Sequence, residues 1–166
     1  MRETLLAPPH GLDEIIMTFG DVAASTTADG DPSRAWRRRF LTRIDLPFGM
    51  PLAWNESLQA TRLTCHRRLG PVLMRLFDDL NRRQMRPLIQ SFGGCYCFRR
   101  KRGGTELSTH AWGIALDLNP ATNRAGTIGD MSPELVALFE QYGFEWGGRW
   151  SGRKSDPMHF QFCTGY

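Results

Sequence analysis

The stretch Ser108-Thr109-His110-Ala111-Trp112-Gly113-Ile114-Ala115-Leu116-Asp117 decides how the rest of the chain is interpreted. Residues 113–118 form a short apolar run between turn-forming residues, which is typical of a buried strand. His110 lies on the loop that leads into this strand, and Asp117 lies near its end. Both side chains can therefore face the same point at one edge of a sheet.

A second stretch, Asp156-Pro157-Met158-His159, begins another strand-like run near the end of the chain. Polar and apolar residues alternate over residues 158–162, which places His159 and Gln161 on one face and the apolar side chains on the other. This pattern turns His159 away from the apolar side and towards a cleft. Asp156 lies just before the strand, where its carboxylate can reach the same cleft.

Two imidazoles and one carboxylate are a common protein ligand set for a hydrolytic zinc ion, whose fourth position stays open for water. His110, Asp117 and His159 supply this set, and Asp156 adds a carboxylate that need not be a ligand. A single histidine near a strand is more often a hydrogen-bonded structural residue. The zinc prediction therefore depends on the whole pattern and not on either histidine alone.

The pattern Ser-x-His-x-x-Gly-x-Ala-x-Asp followed by Asp-x-x-His resembles that of the LAS zinc peptidases. This family includes D-alanyl-D-alanine carboxypeptidases and dipeptidases, and the L-alanyl-D-glutamate endopeptidases of phage lysins. Residues 94–104, GCYCFRRKRGG, are similar to the segment that precedes the zinc motif in VanY-like and phage members. Residues 144–150, FEWGGRW, are similar to their Phe-x-Trp-Gly-Gly-x-Trp stretch. The resemblance extends over residues 50–163.

The resemblance implies a zinc ion bound by His110, Asp117 and His159, with Asp156 as the catalytic general base. Zinc lowers the pKa of a bound water towards about 7, so that a nearby carboxylate can take its proton. Asp156 could then pass this proton to the leaving amine.

The family also has an arginine that stabilises the oxyanion or binds a substrate carboxylate. Arg99 is the best positional match for this catalytic role, and Arg102 is the second choice, as a substrate-binding residue. We also expect Ser108 and Trp146 to bind substrate. The alternatives are a solvated basic loop for the arginines, a turn hydroxyl for Ser108 and core packing for Trp146.

The resemblance implies a zinc peptidase that hydrolyses peptidoglycan stem peptides, with D-alanyl-D-alanine carboxypeptidase as the favoured activity. The glycine-rich loop and the Trp-Gly-Gly-x-Trp stretch are most similar to VanY-type members. A phage-type L-alanyl-D-glutamate endopeptidase, or endolysin, remains open. So does a zinc-bearing binding module without catalysis, although retention of Asp156 favours an enzyme.

Composition and charge limit the remaining choices. The 166 residues, 41% of them hydrophobic, are enough for one sizeable core. No run approaches the roughly 20 apolar residues that a membrane span needs, and residues 1–9 lack the apolar core of a secretory signal. We therefore expect a monomer made in the cytoplasm, which acts on the cell wall after release or lysis.

The positive charge does not by itself select a partner. Lys and Arg exceed Asp and Glu by 21 − 17 = 4, which suits either an anionic wall or weak nucleic-acid attraction. The cluster at residues 34–39 has no nucleic-acid-binding motif around it, so we expect a solvated face and no nucleic-acid partner. The cysteines are expected to be free thiols, and a Cys65–Cys95 bridge is possible only in an oxidising compartment.

The order of predicted elements favours a single α+β domain, with helices packed against an antiparallel sheet that carries the zinc site. We divide the chain into an N-terminal extension (1–49), partly helical, loop-rich and packed on the domain, and a catalytic domain (50–166). The predicted helices are 12–19, 58–68, 71–83 and one that begins at Ser132-Pro133 and ends at Gly143; the predicted strands are 40–47, 87–92, 113–118 and 158–162.

Overall fold

A computed structural model describes residues 6–166 as four α-helices and a six-stranded sheet. The strand order is β2-β1-β3-β4-β6-β5, and every neighbouring pair is antiparallel except β1 and β3. This architecture confirms the predicted α+β class. The elements are α1 (Gly11–Phe19), α2 (Arg34–Phe40), β1 (Leu41–Leu52), β2 (Asn55–His66), α3 (Gly70–Arg82), β3 (Phe92–Gly94), β4 (Ala115–Leu118), α4 (Pro133–Gln141), β5 (Glu145–Trp146) and β6 (His159–Gln161).

Helices α3 and α4 pack on one side of the sheet, and the side chain of His159 lies on the other side. Leu73, Leu76, Phe77 and Leu80 form an apolar face of α3 that is fully buried, as the helical spacing of these residues predicts. Helix α4 packs behind β6, with the ring centroid of Phe139 4.4 Å from that of Phe160. Because successive strand side chains alternate, His159 and Gln161 face away from α4.

Several local predictions are confirmed. Helices α1 and α3 occupy the predicted segments to within one residue, and α4 begins where Ser132 accepts a hydrogen bond from the Leu135 amide. Strands β4 and β6 lie inside the predicted runs. The segment between β4 and α4 contains no helix or strand, which agrees with its turn-forming residues Pro120, Asn123, Gly126 and Gly129.

The prediction of a helix over residues 58–68 is wrong, because most of this segment belongs to β2. Cross-strand pairing with β1 from Leu41↔His66 to Asp45↔Arg62 determines its conformation. The predicted end of β1 near Pro47 is also wrong. Pairing with β2 is interrupted between Asp45 and Met50, so Pro47 lies in an irregular stretch that needs no ladder N–H, and the strand resumes beyond it.

The predicted strand over residues 87–92 is largely wrong as well, since Arg86–Leu88 forms a 3₁₀ turn and β3 starts only at Phe92. The Asn119 side chain accepts hydrogen bonds from the amides of Gln90 (2.7 Å) and Ser91 (3.1 Å), which replaces strand pairing there. Helix α2 was not predicted. The Ser33 side chain caps it, and Trp36 is only 4% exposed, so this aromatic cannot stack on bases.

The N-terminal helices contact the rest of the fold through specific hydrogen bonds. The Thr164 amide donates to the Pro9 carbonyl, and the Gly11 amide donates to the Thr164 carbonyl. The Trp112 indole donates to the carbonyl of Gly20, just after α1. The boundary predicted between residues 49 and 50 falls inside β1, and the division into extension and catalytic domain stays a prediction.

Two other features of the described chain bear on the sequence analysis. All four cysteines are free thiols, and three of them, Cys65, Cys95 and Cys163, are buried. Over residues 6–166, no helix combines the length and the apolar character that crossing a bilayer requires. Residues 1–5, which carry part of the signal-sequence argument, lie outside the described residues.

Candidate metal centre

Three elements bring His110, Asp117 and His159 together. Asp117 on β4 pairs directly with His159 on β6. His110 lies in the 3₁₀ turn Thr109–Trp112, whose first residue follows the capping side chain of Ser108. Gly113 then reverses the chain into β4 with φ +70°. A Cβ there would lie 2.9 Å from the His66 amide nitrogen, so only glycine fits this turn.

The three side chains present one donor atom each to a common point. His110 Nε2 lies 3.2 Å from both Asp117 Oδ1 and His159 Nδ1, and the latter two atoms are 3.1 Å apart. Ligands at about 2.0–2.1 Å from a tetrahedral zinc ion are separated by about 3.3–3.4 Å. This triangle is therefore close to the size that such an ion requires, and the group could hold a metal.

The imidazole nitrogens of His110 and His159 that point away from the triangle already have hydrogen-bond partners. His110 Nδ1 donates to the Cys95 carbonyl at 2.6 Å, and His159 Nε2 faces Gln161 Oε1 at 3.1 Å and Thr109 Oγ1 at 3.2 Å. A neutral imidazole that donates outward must present a lone pair inward. With the Asp117 carboxylate, three acceptors then face one another, and only a proton or a cation can join them.

The mutual contact of these side chains favours positive charge at this point, and it shifts the pKa of two of them. Burial opposes ionisation of Asp117, but the adjoining imidazoles of His110 and His159 hold its pKa well below the usual value. Burial likewise lowers the pKa of His159, yet its hydrogen bond to Asp117 and the negative charge there raise the pKa overall. A metal ion that binds here competes with protonation of His159.

Gln161 and Thr109 complete the surroundings of His159, and the sequence analysis gave neither a role. The Gln161 amide nitrogen donates to the Tyr166 carbonyl at 3.3 Å, which turns Oε1 towards His159. Thr109 Oγ1 also donates to Gln161 Oε1 at 3.3 Å. The shared strand face of Gln161 and His159 was the available signal, since it required the two side chains to be neighbours. The role of the Cys95 carbonyl carries no sequence signal, because any residue supplies a carbonyl.

Asp156 lies beside the triangle in the same cleft. Its Oδ1 is buried and has no hydrogen-bond partner within the described part of the chain. Burial raises the pKa of Asp156 above its usual value; the positive charge of His159 opposes this rise, and the negative charge of Asp117 adds to it. A buried acceptor left without a partner costs free energy, and is a frequent feature of reactive sites.

The cleft has a volume of about 660 Å³, within the usual size range of ligand sites. Ser108, Arg99 and Arg102 line this cleft. The positive charge of Arg102 partly opposes the rise in the pKa of Asp156. Within the described residues, the Arg99 guanidinium forms a single hydrogen bond, at 3.5 Å to the carbonyl of the next residue. The roles of these side chains stay predictions.

The structure does not bring Trp146 into the cleft lining. Its indole donates to the Pro157 carbonyl at 2.8 Å, and its ring stacks on Phe160. Trp150 lines the cleft instead, with its ring centroid 5.6 Å from that of His159. The sequence alone could not show which of the two tryptophans faces the cleft. The 3₁₀ turn Gly147–Arg149 between them sets the direction of each ring. Arg153 and Lys154 also reach the cleft, and the sequence analysis had not identified them.

Comparison with known proteins finds a family whose model matches part of the chain. Residues 102–162 match the model of a family described as D-alanyl-D-alanine carboxypeptidase, and this region contains His110, Asp117, Asp156 and His159. No curated protein and no solved structure matches the chain at a significant level. The match agrees with the resemblance seen in the sequence and with a His–Asp–His group that could hold a metal. Residues 102–162 are therefore similar to the D-alanyl-D-alanine carboxypeptidase family, and this similarity together with the His–Asp–His group supports a metallopeptidase.

Proposed function

We propose that the chain is a zinc-dependent peptidase that hydrolyses peptidoglycan stem peptides, and that its activity is D-alanyl-D-alanine carboxypeptidase. The observation that carries this proposal is the triangle of three acceptor atoms beside the unpartnered Asp156 Oδ1. A structural metal site does not need a free carboxylate at its open side. Because the proposed substrate belongs to the cell wall, the enzyme would act there after release or lysis.

His110 Nε2, His159 Nδ1 and Asp117 Oδ1 are the proposed zinc ligands. They match the two-histidine, one-carboxylate set of hydrolytic zinc sites, which leave a fourth position open. Zinc supplies Lewis acidity, which lowers the pKa of a coordinated water to about 7 and polarises the scissile carbonyl. The hydrogen bonds to the Cys95 carbonyl and to Gln161 hold both imidazoles in the tautomer that binding requires.

Asp156 is the proposed general base and acid. Its free Oδ1 takes a proton from the attacking water and then delivers it to the leaving amine. Burial disfavours the charged form of Asp156, and a carboxylate with a higher proton affinity is a better base near neutral pH. The Asp156 amide donates to the Gly147 carbonyl, and its carbonyl accepts from the His159 amide. The backbone therefore fixes its position relative to the ligand.

Arg99 is the proposed partner of the substrate carboxylate or of the developing oxyanion, with Arg102 and Ser108 as further substrate contacts. Arg99 and Arg102 line the cleft, and neither forms an ion pair within residues 6–166. A guanidinium can bind a carboxylate through two parallel hydrogen bonds, which a neutral amide cannot replace. A carboxypeptidase would use this difference to select a free C-terminus. Trp146 was also expected to bind substrate, but its contacts favour a supporting role under residues 157–160.

The test is hydrolysis of a synthetic stem pentapeptide ending in D-Ala-D-Ala, compared with its C-terminally amidated form. Zinc-loaded protein is incubated with each, and the products are identified by mass spectrometry. We expect release of the terminal D-Ala, with at least about tenfold lower kcat/KM for the amide. The Asp156→Asn variant is the control for a contaminating peptidase.

Each alternative gives a different product pattern. Cleavage between L-Ala and D-Glu, at equal rates for both peptides, would contradict the carboxypeptidase and assign an endopeptidase. Binding of the pentapeptide without any cleavage in the presence of zinc would leave a binding module.

A further inference from the structure

A second cavity of about 580 Å³ lies outside the metal-facing cleft. The segment Arg99–Ser108, called here the basic hairpin, forms one of its walls. The hairpin is closed by hydrogen bonds from the Lys101 amide to the Glu106 carbonyl and from the Ser108 amide to the Arg99 carbonyl. The opposite wall comes from α1 and from residues 21–31, which the family match does not cover. This cavity has the volume of a ligand site and no role in the mechanism above.

The two cavities adjoin. Arg99, Glu106 and Tyr166 line both of them. Lys101 stabilises this junction, because its ammonium pairs with Glu106 at 2.9 Å and lies 3.6 Å from the centroid of the Tyr166 ring. The Tyr166 hydroxyl donates to the Leu107 carbonyl at 2.8 Å. The two cavities therefore share a wall, and a peptide that extends across the basic hairpin from the metal-facing cleft would reach the second cavity.

The walls of the second cavity carry opposite charges. Asp21 and Asp31 lie on the N-terminal wall, and neither carboxylate forms an ion pair with a residue in the range 6–166. Arg99 and Arg100 lie on the hairpin wall, and the Arg100 guanidinium donates to the Thr105 carbonyl. Leu12 and Ile16 add apolar surface from α1. Such a lining suits an aliphatic segment that ends in an ammonium group directed at the two carboxylates.

We propose that the second cavity binds the amine-bearing side chain of a diamino-acid residue in the peptide whose scissile bond lies at the metal-facing cleft. This inference rests on the proposed function, and it extends substrate recognition to residues 12–31. Asp31 is the principal contact, since within residues 6–166 its hydrogen bonds involve its backbone carbonyl and leave its carboxylate available. Asp21 contributes less, because one of its carboxylate oxygens already accepts from the Ala24 amide.

The experiment compares two pentapeptides, L-Ala-γ-D-Glu-L-Lys-D-Ala-D-Ala and the same peptide acetylated on the lysine amine. Dissociation constants are measured by calorimetry on the zinc-loaded, full-length Asp156→Asn protein, and kcat and KM on the wild type. Acetylation removes the positive charge, so we expect about five- to tenfold weaker binding, seen in KM and not in kcat. This difference should shrink as salt is raised from 50 to about 500 mM.

Two variants locate the effect. Asp31→Asn should bind both peptides alike, whereas Asp29→Asn, an exposed carboxylate of the same loop outside the cavity lining, should keep the preference for the free amine. Equal dissociation constants for the two peptides, or an unchanged preference in Asp31→Asn, would overturn this inference even if both peptides are cleaved. Failure of the zinc-loaded wild type to cleave either peptide would overturn the proposed function, and the calorimetric comparison decides the cavity separately.

Discussion

Replacing Gln161 with leucine should weaken zinc binding without removing a ligand. Gln161 Oε1 lies 3.1 Å from His159 Nε2 and is 2% exposed, so water cannot readily replace it. The substitution leaves Thr109 Oγ1 as the remaining partner of that nitrogen. Loss of a hydrogen bond that orients a metal-binding histidine typically lowers metal affinity by about 10- to 100-fold. At about 1.4 kcal/mol per decade, this corresponds to about 1.4–2.8 kcal/mol.

The assay is competition for zinc between the protein and a chelator of known affinity at pH 7.5. Gln161→Glu keeps an acceptor at the same position and should hold zinc within a few-fold of wild type. Gln59→Leu removes an exposed glutamine from β2 and is the matched control. Thermal unfolding of the metal-free proteins separates altered metal affinity from altered folding. Wild-type zinc affinity in a folded Gln161→Leu protein would refute the positioning role of Gln161.

Three further predictions concern the base, a buried histidine and a glycine turn. Asp156→Asn should keep one zinc and its fold but lose kcat by about 10²-fold or more on the pentapeptide; a loss below threefold would exclude proton transfer by this residue. Burial lowers the pKa of His66 to about 4, and the positive charges of nearby arginines lower it further. The hydrogen bond to the Phe19 carbonyl partly opposes this shift. The neutral form is therefore favoured by folding, and stability should fall by about 2 kcal/mol between pH 7 and 5 as the unfolded chain takes up the proton near pH 6.5. Urea unfolding should show a smaller loss in His66→Gln, and an identical pH slope would contradict this assignment. Gly113→Ala should cost about 2–4 kcal/mol, because it adds a backbone clash to a left-handed conformation, whereas Gly126→Ala at φ +80° in open space should cost about 1 kcal/mol. Equal costs in denaturant unfolding would argue against the clash.

The positions of Asp117 and His159 could be predicted from sequence because strand periodicity fixes the direction of their side chains, and the surrounding motif added His110. The alternation over residues 158–162 placed His159 and Gln161 on one face, and β6 shows both side chains directed away from α4. The buried run before Asp117 likewise became β4. In each case a short strand with a clear pattern fixed the direction of a polar side chain.

Elements that depend on long-range pairing were predicted poorly. Residues 58–68 contain enough apolar residues for a helix, and only their pairing with β1 makes them a strand. Local sequence signals cannot report a partner strand that lies elsewhere in the chain. The second cavity is a similar case, because Asp21 and Asp31 reach the basic hairpin only through the packing of the N-terminal segment.

The zinc content of purified protein tests the account most directly. Elemental analysis should find one zinc per chain in the wild type and in His10→Ala, which removes an exposed histidine that does not line the cleft. His110→Ala, Asp117→Ala and His159→Ala should each contain almost none, because two remaining protein ligands hold the ion too weakly to survive purification. Full zinc occupancy in these three folded variants would contradict the assignment of the metal centre.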